Sequence, residues 1–388
     1  MISQIANRGG FHCSTNCGTL LVCQYPSVNI LLVGISVECF PPHPQRCQRM
    51  TADEEFMCAA LREARKGIGK TSPNPAVGAV LVKNGRILAR GWHRAAGRPH
   101  AEIEALKSLG KPTARGATLY VTLEPCSTHG RTQPCTDAIV RAGISRVVYG
   151  ATDPNPRHGG KAEKILPAAG ISVTSGVLEH DCSALNAAWN KWISTGMPYV
   201  IAKAGMTLDG RISSPPESRW ITGEASRRDA MKLRASVQAV LVGGETVRID
   251  NPQLTVRGQR SFQQPLRAVW TKSGKLPADA KIFCDECKDR TVILKNMSLR
   301  SALRELARLG ATRVLIEGGG RILGEAFDRG LVDEVCFYMA PILTGGPTPA
   351  TGARGIGKNE DAIRLRDVSY TKFGHDLRLT AQVEKSGV

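Results

Sequence analysis

The sequence lacks a continuous apolar run long enough to cross a membrane. Residues 20–40 are apolar in patches, but Gln24, Pro26, Asn29 and Glu38 interrupt them, whereas a membrane-spanning helix needs about 20 consecutive apolar residues. The N-terminal segment also lacks the basic start and the small-residue cleavage site of a signal peptide. These absences predict a soluble, cytoplasmic protein that has no membrane partner.

A basic run interleaved with aromatic residues, which is typical of nucleic-acid-binding surfaces, is also missing. The formal net charge is nevertheless +18, from 52 Lys and Arg against 34 Asp and Glu in 388 residues. Because these charges are dispersed along the chain, they indicate either a basic surface without a specific role or sites for phosphate-bearing ligands. We therefore expect small-molecule partners and no nucleic acid.

The twelve cysteines do not have the pattern of a secreted disulfide framework. Five of them precede Met50, in a segment, residues 1–49, that lacks sustained hydrophobic periodicity. Directly after Met50, Thr51 and Glu54 have the spacing of a helix capping box. We predict that residues 1–49 are an extension outside the fold, and a cysteine-rich accessory metal module is the alternative. The single C-x-x-C motif at 284–287 has no second pair near it, which predicts a loop.

Four residues between His100 and Cys135 have the chemistry of a catalytic metal site. One imidazole, from His100, and two thiolates, from Cys126 and Cys135, suit tetrahedral zinc with its fourth position left for water. Glu102 lies two residues after the predicted His ligand, as in zinc deaminases, where metal-activated hydroxide attacks an amino-bearing ring carbon and Glu moves protons. Pro134 favours a helix start, which places Cys135 in a first turn that is expected to lower the pKa of its thiol.

Alternating helix and strand patterns predict an α/β protein with two domains. Residues 50–193 form the predicted zinc deaminase domain, which contains a β-hairpin at Asn84-Gly85 and ends in a long helix over 179–193. A linker at 194–198 leads into the second predicted domain, residues 198–388. Strands are predicted at 77–82, 86–90, 118–123, 146–150, 171–174, 199–204, 237–242, 266–270, 291–294, 313–317, 334–339 and 377–383.

In the second half, a predicted strand ends in Glu317 and is followed by Gly318, Gly319 and Gly320 and then a helix. Strand, glycines and helix form a layout in which backbone N–H groups can approach a phosphate. A tight structural turn would have the same sequence. Nearby residues favour the phosphate interpretation, because Arg234, Arg257 and Arg321 can supply guanidinium groups and Trp220 a stacking surface.

Ordered motifs over residues 50–388 resemble the bifunctional deaminase–reductase family of riboflavin biosynthesis. In the first half these are Pro-Asn-Pro at 73–75, His-Ala-Glu at 100–102, Glu-Pro-Cys-Ser at 124–127, Gly-Arg-Thr-x-Pro-Cys at 130–135 and Asp-Pro-Asn-Pro at 153–156. In the second half they are Gly-Met-Thr-Leu-Asp-Gly-Arg at 205–211, Ser-Arg-Trp-Ile-Thr at 218–222, Asp-Asn-Pro-x-Leu-Thr-Val-Arg at 250–257 and Glu-Gly-Gly at 317–319.

The resemblance implies an α/β cytidine-deaminase-like three-layer domain followed by a dihydrofolate-reductase-like domain. It implies that the first domain uses Zn²⁺ to deaminate 2,5-diamino-6-ribosylamino-4(3H)-pyrimidinone 5′-phosphate. The second domain would then use NADPH to reduce the ribose of the product, 5-amino-6-(5-phosphoribosylamino)uracil, to ribityl. The resemblance also implies a homo-oligomer, either a dimer or a tetramer.

Functional residues follow from the matching positions. The resemblance makes His100, Cys126 and Cys135 the zinc ligands and Glu102 the proton shuttle. The implied NADPH contacts are Gly205, Trp220, Thr246, Asp250, Gly319, Gly320, Arg321, Ile322, Leu323, Gly324 and Glu325. The implied substrate contacts of the reductase are Ser218, Arg234, Leu254, Arg257 and Glu317.

One departure from the family pattern lies beside the metal motif. Many relatives have His directly after Cys-Ser, whereas this chain has Thr128 there, followed by His129.

Three alternatives to a deaminase–reductase differ in the residues that they require. A structural zinc needs a fourth protein ligand, for which His93 and His129 are the candidates. A nucleic-acid base editor gives the second half no role, and a non-catalytic nucleotide-binding protein does not need the intact Glu102.

Overall fold

The computed structural model describes residues 50–110, 113–128, 133–156, 158–212, 220–258, 264–352, 354–355 and 358–384, so the extension predicted at residues 1–49 lies outside them. The helices are α1 Ala52–Arg65, α2 Ala101–Ser108, α3 Cys135–Arg141, α4 Ala162–Ala168, α5 Glu179–Leu185, α6 Ala187–Thr195, α7 Glu224–Ala235, α8 Gly244–Asp250, α9 Lys281–Cys284, α10 Leu299–Arg308 and α11 Gly320–Asp328. The strands are β1 Gly78–Lys83, β2 Arg86–Trp92, β3 Thr118–Leu123, β4 Arg146–Ala151, β5 Ser172–Thr174, β6 Tyr199–Thr207, β7 Ala239–Gly243, β8 Leu266–Thr271, β9 Thr291–Lys295, β10 Arg313–Ile316, β11 Glu334–Ala340, β12 Leu365–Phe373 and β13 Asp376–Val383.

The first half is built on a five-stranded sheet in the order β2-β1-β3-β4-β5. The predicted hairpin joins β1 and β2, and both of its turn residues have positive φ, 52° for Asn84 and 71° for Gly85. That conformation matches the twist of the strands, and Asn and Gly are the residues that adopt it with least strain. Strands β3, β4 and β5 are parallel, so the loops that leave β3 and β4 emerge at the same sheet edge. The expected capping box also forms, because Glu54 N–H donates to Thr51 Oγ1 and Thr51 N–H to Glu54 Oε2.

The long helix predicted over residues 179–193 is wrong, because the chain divides it at Asn186 into α5 and α6. Asn186 is buried, and its side-chain amide bonds both backbone groups of Ala76, accepting from N–H at 2.8 Å and donating to C=O at 2.9 Å. These bonds satisfy the backbone N–H and C=O groups of Ala76, which belongs to no strand. The helix is interrupted where Asn186 makes them. The loop that contains the Pro-Asn-Pro motif is thereby attached to the helical layer.

The second half is built on an eight-stranded sheet in the order β12-β13-β11-β6-β10-β7-β8-β9. Six consecutive strands of this sheet run parallel to one another: β11, β6, β10, β7, β8 and β9. Strand β13 is antiparallel to both β11 and β12. Three elements were absent from the sequence prediction: β12, α8 and the short helix α9, which ends at Cys284 of the C-x-x-C motif where a loop was expected. The outermost strand, β12, is largely exposed and therefore lacks the buried alternation that identifies strands. Helix α8 follows β7 directly, in a stretch that begins with glycine and so has little helix propensity.

Contacts through α6 connect the two halves, which lie within one unit, Met50–Val388. Trp189 packs into the core of the first half, while Lys191 Nζ lies 2.6 Å from Asp333 Oδ2 and Trp192 Nε1 donates to Ala307 C=O in the second. Helix α6 ends at Gly196, whose φ of 67° suits glycine, and β6 begins three residues later. The predicted linker is therefore very short. Within the described residues, no helix is long and apolar enough to span a bilayer.

Candidate active sites

The three predicted zinc ligands converge at the edge where β3 ends. His100 is the N-cap of α2, Cys126 lies in the loop after β3, and Cys135 is the first residue of α3. The imidazole Nδ1 of His100 lies 3.4 Å from the Sγ of Cys126 and 3.3 Å from that of Cys135. All three ligand atoms lie within 4.8 Å of one another, and they form the only such group found among the described residues. One ring nitrogen and two sulfurs in this arrangement fit a zinc ion.

The protonation of these ligands is strongly coupled. A hydrogen bond from Cys135 lowers the pKa of Cys126 to about 4, and the same bond, together with burial, raises the pKa of Cys135. The expectation that the helix N-terminus lowers the pKa of Cys135 is therefore wrong, because Cys126 is the thiol that ionises first. Hydrogen bonding to Cys126 raises the pKa of His100 to about 9. A metal ion that binds here must displace protons from these groups.

Glu102 is buried in the first turn of α2, on the same helix as His100. Burial raises the pKa of its carboxyl group, and this increase is opposed by the positive charge of His100. A raised pKa favours the protonated form of the carboxyl group, so Glu102 can take up a proton and pass it on, which is the requirement for a proton shuttle. The carboxyl group does not belong to the group of three ligand atoms.

His93, a candidate fourth ligand, is committed to other partners. Its Nδ1 lies 3.0 Å from the C=O of Pro99, and its Nε2 lies 3.0 Å from Nδ2 of Asn74. Because a carbonyl only accepts, Nδ1 carries the proton and Nε2 accepts from the amide of Asn74. The ring packs edge-on against His100, with 5.4 Å between centroids, so it supports a ligand. The other candidate, His129, lies outside the described residues.

The second predicted site lies where β7 and β10 end side by side. The N-cap of α11, Gly319, comes close to Thr246 of α8, since a Cβ added at Gly319 would lie 3.9 Å from Thr246 Oγ1. The first turn of α11 lies at the carboxyl edge of a parallel sheet, where phosphate groups bind in many α/β proteins. Gly319 leaves room beside Thr246, whereas Gly320 packs closely against the C=O of Pro349, 2.2 Å from where its Cβ would lie. A glycine at the N-cap of a helix that follows a parallel strand fits a dinucleotide phosphate.

The remaining predicted cofactor contacts differ in their exposure and in their neighbours. Gly205 lies in β6, Asp250 ends α8, and Trp220 is 54% exposed, with the guanidinium of Arg227 over its ring. Along α11, Arg321 is exposed, whereas Ile322, Leu323 and Gly324 are buried, and Glu325 pairs with Arg329. The side chains of Ile322 and Leu323 pack in the core, and the predicted cofactor contacts along α11 stay predictions. Ser218 lies outside the described residues.

A buried ion-pair network lies directly before the glycines. Arg234 is 8% exposed and binds Glu317 with two hydrogen bonds, Nε to Oε1 at 2.9 Å and NH2 to Oε2 at 2.8 Å. Its NH1 donates to the C=O of Thr255. Burial by itself raises the pKa of Glu317, but the positive charges of Arg234 and Lys203 outweigh it and lower that pKa to about 2. Arg234 therefore holds Glu317 and the 250–257 loop in place.

Lys203 was missed by the sequence interpretation. Its Nζ lies 3.8 Å from Oε2 of Glu317, and it is the one cation in the otherwise apolar stretch 199–204 of β6. That isolated charge is the signal that identifies it. In the neighbouring loop, Leu254 is buried with φ of 55°, a left-handed conformation that costs energy for a side chain of this size. Arg257, by contrast, is exposed and can reach a ligand in solution.

Comparisons with known proteins agree with both sites. The model for the cytidine and deoxycytidylate deaminase zinc-binding region matches residues 50–151, and that for the RibD C-terminal domain matches residues 198–379. The riboflavin biosynthesis protein RibD of Aquifex aeolicus is 39% identical over 346 residues, which cover 84% of this chain and 97% of that protein. RibD of Escherichia coli is 37% identical over 354 residues, which cover 83% of this chain and 95% of that protein.

Solved structures show the same relationship. Acinetobacter baumannii RibD, form 1, has a TM-score of 0.80 and 36% identity, over 86% of this chain and 99% of that one. A diaminohydroxyphosphoribosylaminopyrimidine deaminase/5-amino-6-(5-phosphoribosylamino)uracil reductase from Thermotoga maritima has a TM-score of 0.76 and 35% identity, with 86% and 99% coverage. The expected cytidine-deaminase-like and reductase folds are thereby confirmed. The chain belongs to the RibD family of bifunctional riboflavin-biosynthesis proteins, with a zinc-binding deaminase region followed by a reductase domain.

Proposed function

We propose that this chain catalyses two consecutive steps of riboflavin biosynthesis. The first is the zinc-dependent hydrolytic deamination of 2,5-diamino-6-ribosylamino-4(3H)-pyrimidinone 5′-phosphate. The second is the NADPH-dependent reduction of 5-amino-6-(5-phosphoribosylamino)uracil to its ribitylamino product. The observation that carries the proposal is the convergence of His100 Nδ1 and the sulfurs of Cys126 and Cys135 within 4.8 Å, with the buried Glu102 two residues after His100 in the first turn of α2.

In the deaminase half, His100, Cys126 and Cys135 hold the metal, which when bound activates water for attack on the ring carbon. Glu102 accepts the proton of that water and delivers it to the departing amino group, so that ammonia leaves as a neutral molecule. The burial of Glu102 supports this role because it raises the pKa of the carboxyl group. Asn74 holds the ring of His93, which packs against the ring of His100 and fixes its orientation.

In the reductase half, bound NADPH supplies the hydride, and the protein holds two phosphate-bearing molecules in register. The start of α11, at Gly319 and Gly320, receives the cofactor phosphates through its N–H groups, with Thr246 beside it. Glu317, fixed by Arg234 and Lys203, presents a charged carboxylate next to that cleft. Arg257 is exposed at the loop end and binds the substrate phosphate.

The boundaries at 193 and 198, cytoplasmic localisation and homo-oligomerisation stay predictions. The family models begin at residues 50 and 198, which supports the two-domain division and an extension at 1–49. Sedimentation of the purified chain tests the oligomer, because a dimer or tetramer of a 41.7 kDa chain is readily distinguished from a monomer.

The proposed function is tested with purified zinc-loaded protein and the diaminopyrimidine phosphate. Without NADPH we expect ammonia release alone. With NADPH we expect ammonia release followed by a loss of NADPH absorbance equal to the ammonia formed. Release of ammonia without any NADPH oxidation would contradict the second activity, and absence of ammonia would contradict the first.

A further inference from the structure

One group of polar side chains beside the metal centre has no role in the reaction as described. Ser127 and Thr128 directly follow the ligand Cys126, and His158 lies in the loop after β4. Ser127 Oγ is buried and has no hydrogen-bond partner among the described residues. A buried hydroxyl group without a partner costs free energy, which a bound ligand can recover by accepting or donating a hydrogen bond.

Thr128 and His158, thirty positions apart in sequence, meet there. Thr128 Oγ1 lies 2.9 Å from Nδ1 of His158, and both residues are half-buried. The contact joins the loop that carries Cys126 and Cys135 to the loop that carries the Asp-Pro-Asn-Pro motif. Burial raises the pKa of Asp153, the charge of Cys126 adds to this increase, and the charge of His158 opposes it. These effects show that Asp153, His158 and Cys126 lie near one another.

The position of His158 is fixed by backbone hydrogen bonds on both sides. Its N–H donates to the C=O of Asn155 at 2.9 Å, and its own C=O accepts from Lys161 N–H at 3.2 Å. The carboxylate of Glu124, two residues before Cys126, accepts N–H groups from three residues of the same loop: Asp153, Gly160 and Ala162. Glu124 therefore ties the loop that carries His158 to the metal loop. A histidine held in this way can orient a ligand without a large cost in conformational entropy.

We propose that His158 is a substrate-positioning residue of the deaminase, which donates a hydrogen bond to an acceptor oxygen of the phosphorylated pyrimidine. When the Thr128 hydroxyl donates to Nδ1, the ring proton lies on Nε2, which becomes the donor that faces the ligand. No partner of Nε2 is found among the described residues. The inference rests on the proposed deaminase function. It places the imidazole of His158 beside Thr128, the residue that follows Cys126-Ser127 in this chain.

The test compares four single variants and one double variant in ammonia release with the diaminopyrimidine phosphate. His158→Ala is expected to raise KM about ten-fold or more while changing kcat little, since a hydrogen bond to a ligand oxygen is lost. His158→Gln, whose amide can still donate, is expected to recover most of the affinity. Thr128→Val is expected to raise KM less, and its effect in the His158→Ala background is expected to be smaller than alone, because Thr128 acts through His158. The exposed His180→Ala is the matched control and is expected to behave as wild type.

A second double variant tests whether an imidazole on the loop after Cys126 can replace that of His158. Thr128→His in the His158→Ala background places an imidazole on the metal loop and is expected to lower KM again. Zinc content and melting temperature are measured for each variant, so that a merely structural effect is recognised by loss of both. Substrate without its 5′-phosphate separates the two sources of the acceptor oxygen: the effect of His158→Ala disappears if the phosphate is the partner and persists if a ring or ribose oxygen is.

The results separate this inference from the proposed function. If wild type releases ammonia and His158→Ala has an unchanged KM, the positioning role is refuted while the deaminase stands. A KM increase that His158→Gln does not reduce, accompanied by zinc loss, would also refute it, because the residue would then act on the fold. If wild type releases no ammonia with zinc bound, the proposed function itself fails.

Discussion

The two sites of this chain depend on different kinds of chemical group. The deaminase site uses chemically distinctive side chains, His100, Glu102, Cys126 and Cys135, brought together by one strand end and two helix starts. The proposed reductase site uses backbone N–H groups and an ion pair that is almost entirely buried. Substitutions in the first site should therefore change chemistry and leave the fold intact, whereas substitution of the buried ion pair in the second site should also lower stability.

The largest effect is expected for Glu102→Gln. Gln has nearly the same volume but cannot carry the proton, so ammonia release should fall by about 10² to 10⁴-fold. The zinc content should stay that of wild type, because Glu102 is not one of the three ligand groups. Metal analysis and an ammonia assay check both statements. Ammonia formation at the wild-type rate would contradict the proton-shuttle role.

Glu317→Gln tests the opposite expectation for the second site. It leaves the buried Arg234 without its counter-charge, a change that typically costs about 3–5 kcal/mol. We expect a lower urea midpoint and little reductase activity. The matched control is Glu305→Gln, which breaks an exposed pair with Arg308 and should cost less than about 1 kcal/mol. Equal destabilisation by the two variants would show that burial does not distinguish them.

The same ion pair predicts how stability depends on pH. The pKa of Glu317 falls from 4.5 to about 2 on folding, chiefly because the charges of Arg234 and Lys203 outweigh the effect of burial. A carboxyl group with a depressed pKa stabilises the fold above its unfolded pKa and loses that contribution as pH falls towards the folded value. We expect up to about 3 kcal/mol to disappear between roughly pH 4.5 and pH 2. Melting curves of wild type and Glu317→Gln should converge over this range; a constant difference would contradict the assignment.

A smaller effect is expected for Gly319→Ala. The nearest atom to an added Cβ is Thr246 Oγ1 at 3.9 Å, and φ at Gly319 is −67°, so the fold should accept alanine. The methyl group would occupy the space through which a phosphate approaches, and we expect the KM for NADPH to rise about ten-fold, or about 1.4 kcal/mol. Deaminase activity of the same preparation is the internal control. An unchanged KM would indicate that the cofactor binds elsewhere.

Sequence reasoning succeeded where side-chain chemistry or a local turn determines the outcome. The metal ligands, the Asn84-Gly85 hairpin and the capping box of Thr51 are defined by residue type and spacing, and all three are found in the fold. The same holds for the strand before Glu317, which the structure places at Arg313–Ile316. Motifs of this kind need no knowledge of distant contacts.

Other features depend on side-chain partners that a local pattern does not reveal. Asn186 divides the predicted helix because of its bonds to Ala76, 110 positions away in sequence. The pKa of Cys135 is raised by its hydrogen bond with Cys126 and by burial. Arg234 stays a predicted substrate contact, but no local pattern indicates that its guanidinium also binds Glu317 and the C=O of Thr255. None of these partners is visible in a local pattern, since each is brought together by the packing of the sheets.

The account depends most on two separate sites that act in order, and Glu102→Gln tests this directly through NADPH oxidation with two substrates. With 5-amino-6-(5-phosphoribosylamino)uracil, the variant should oxidise NADPH at the wild-type rate, because the reductase site is intact. With the diaminopyrimidine phosphate, it should oxidise almost none, since the substrate is no longer deaminated. NADPH oxidation at equal rates with both substrates, or with neither while zinc and fold are retained, would contradict the account.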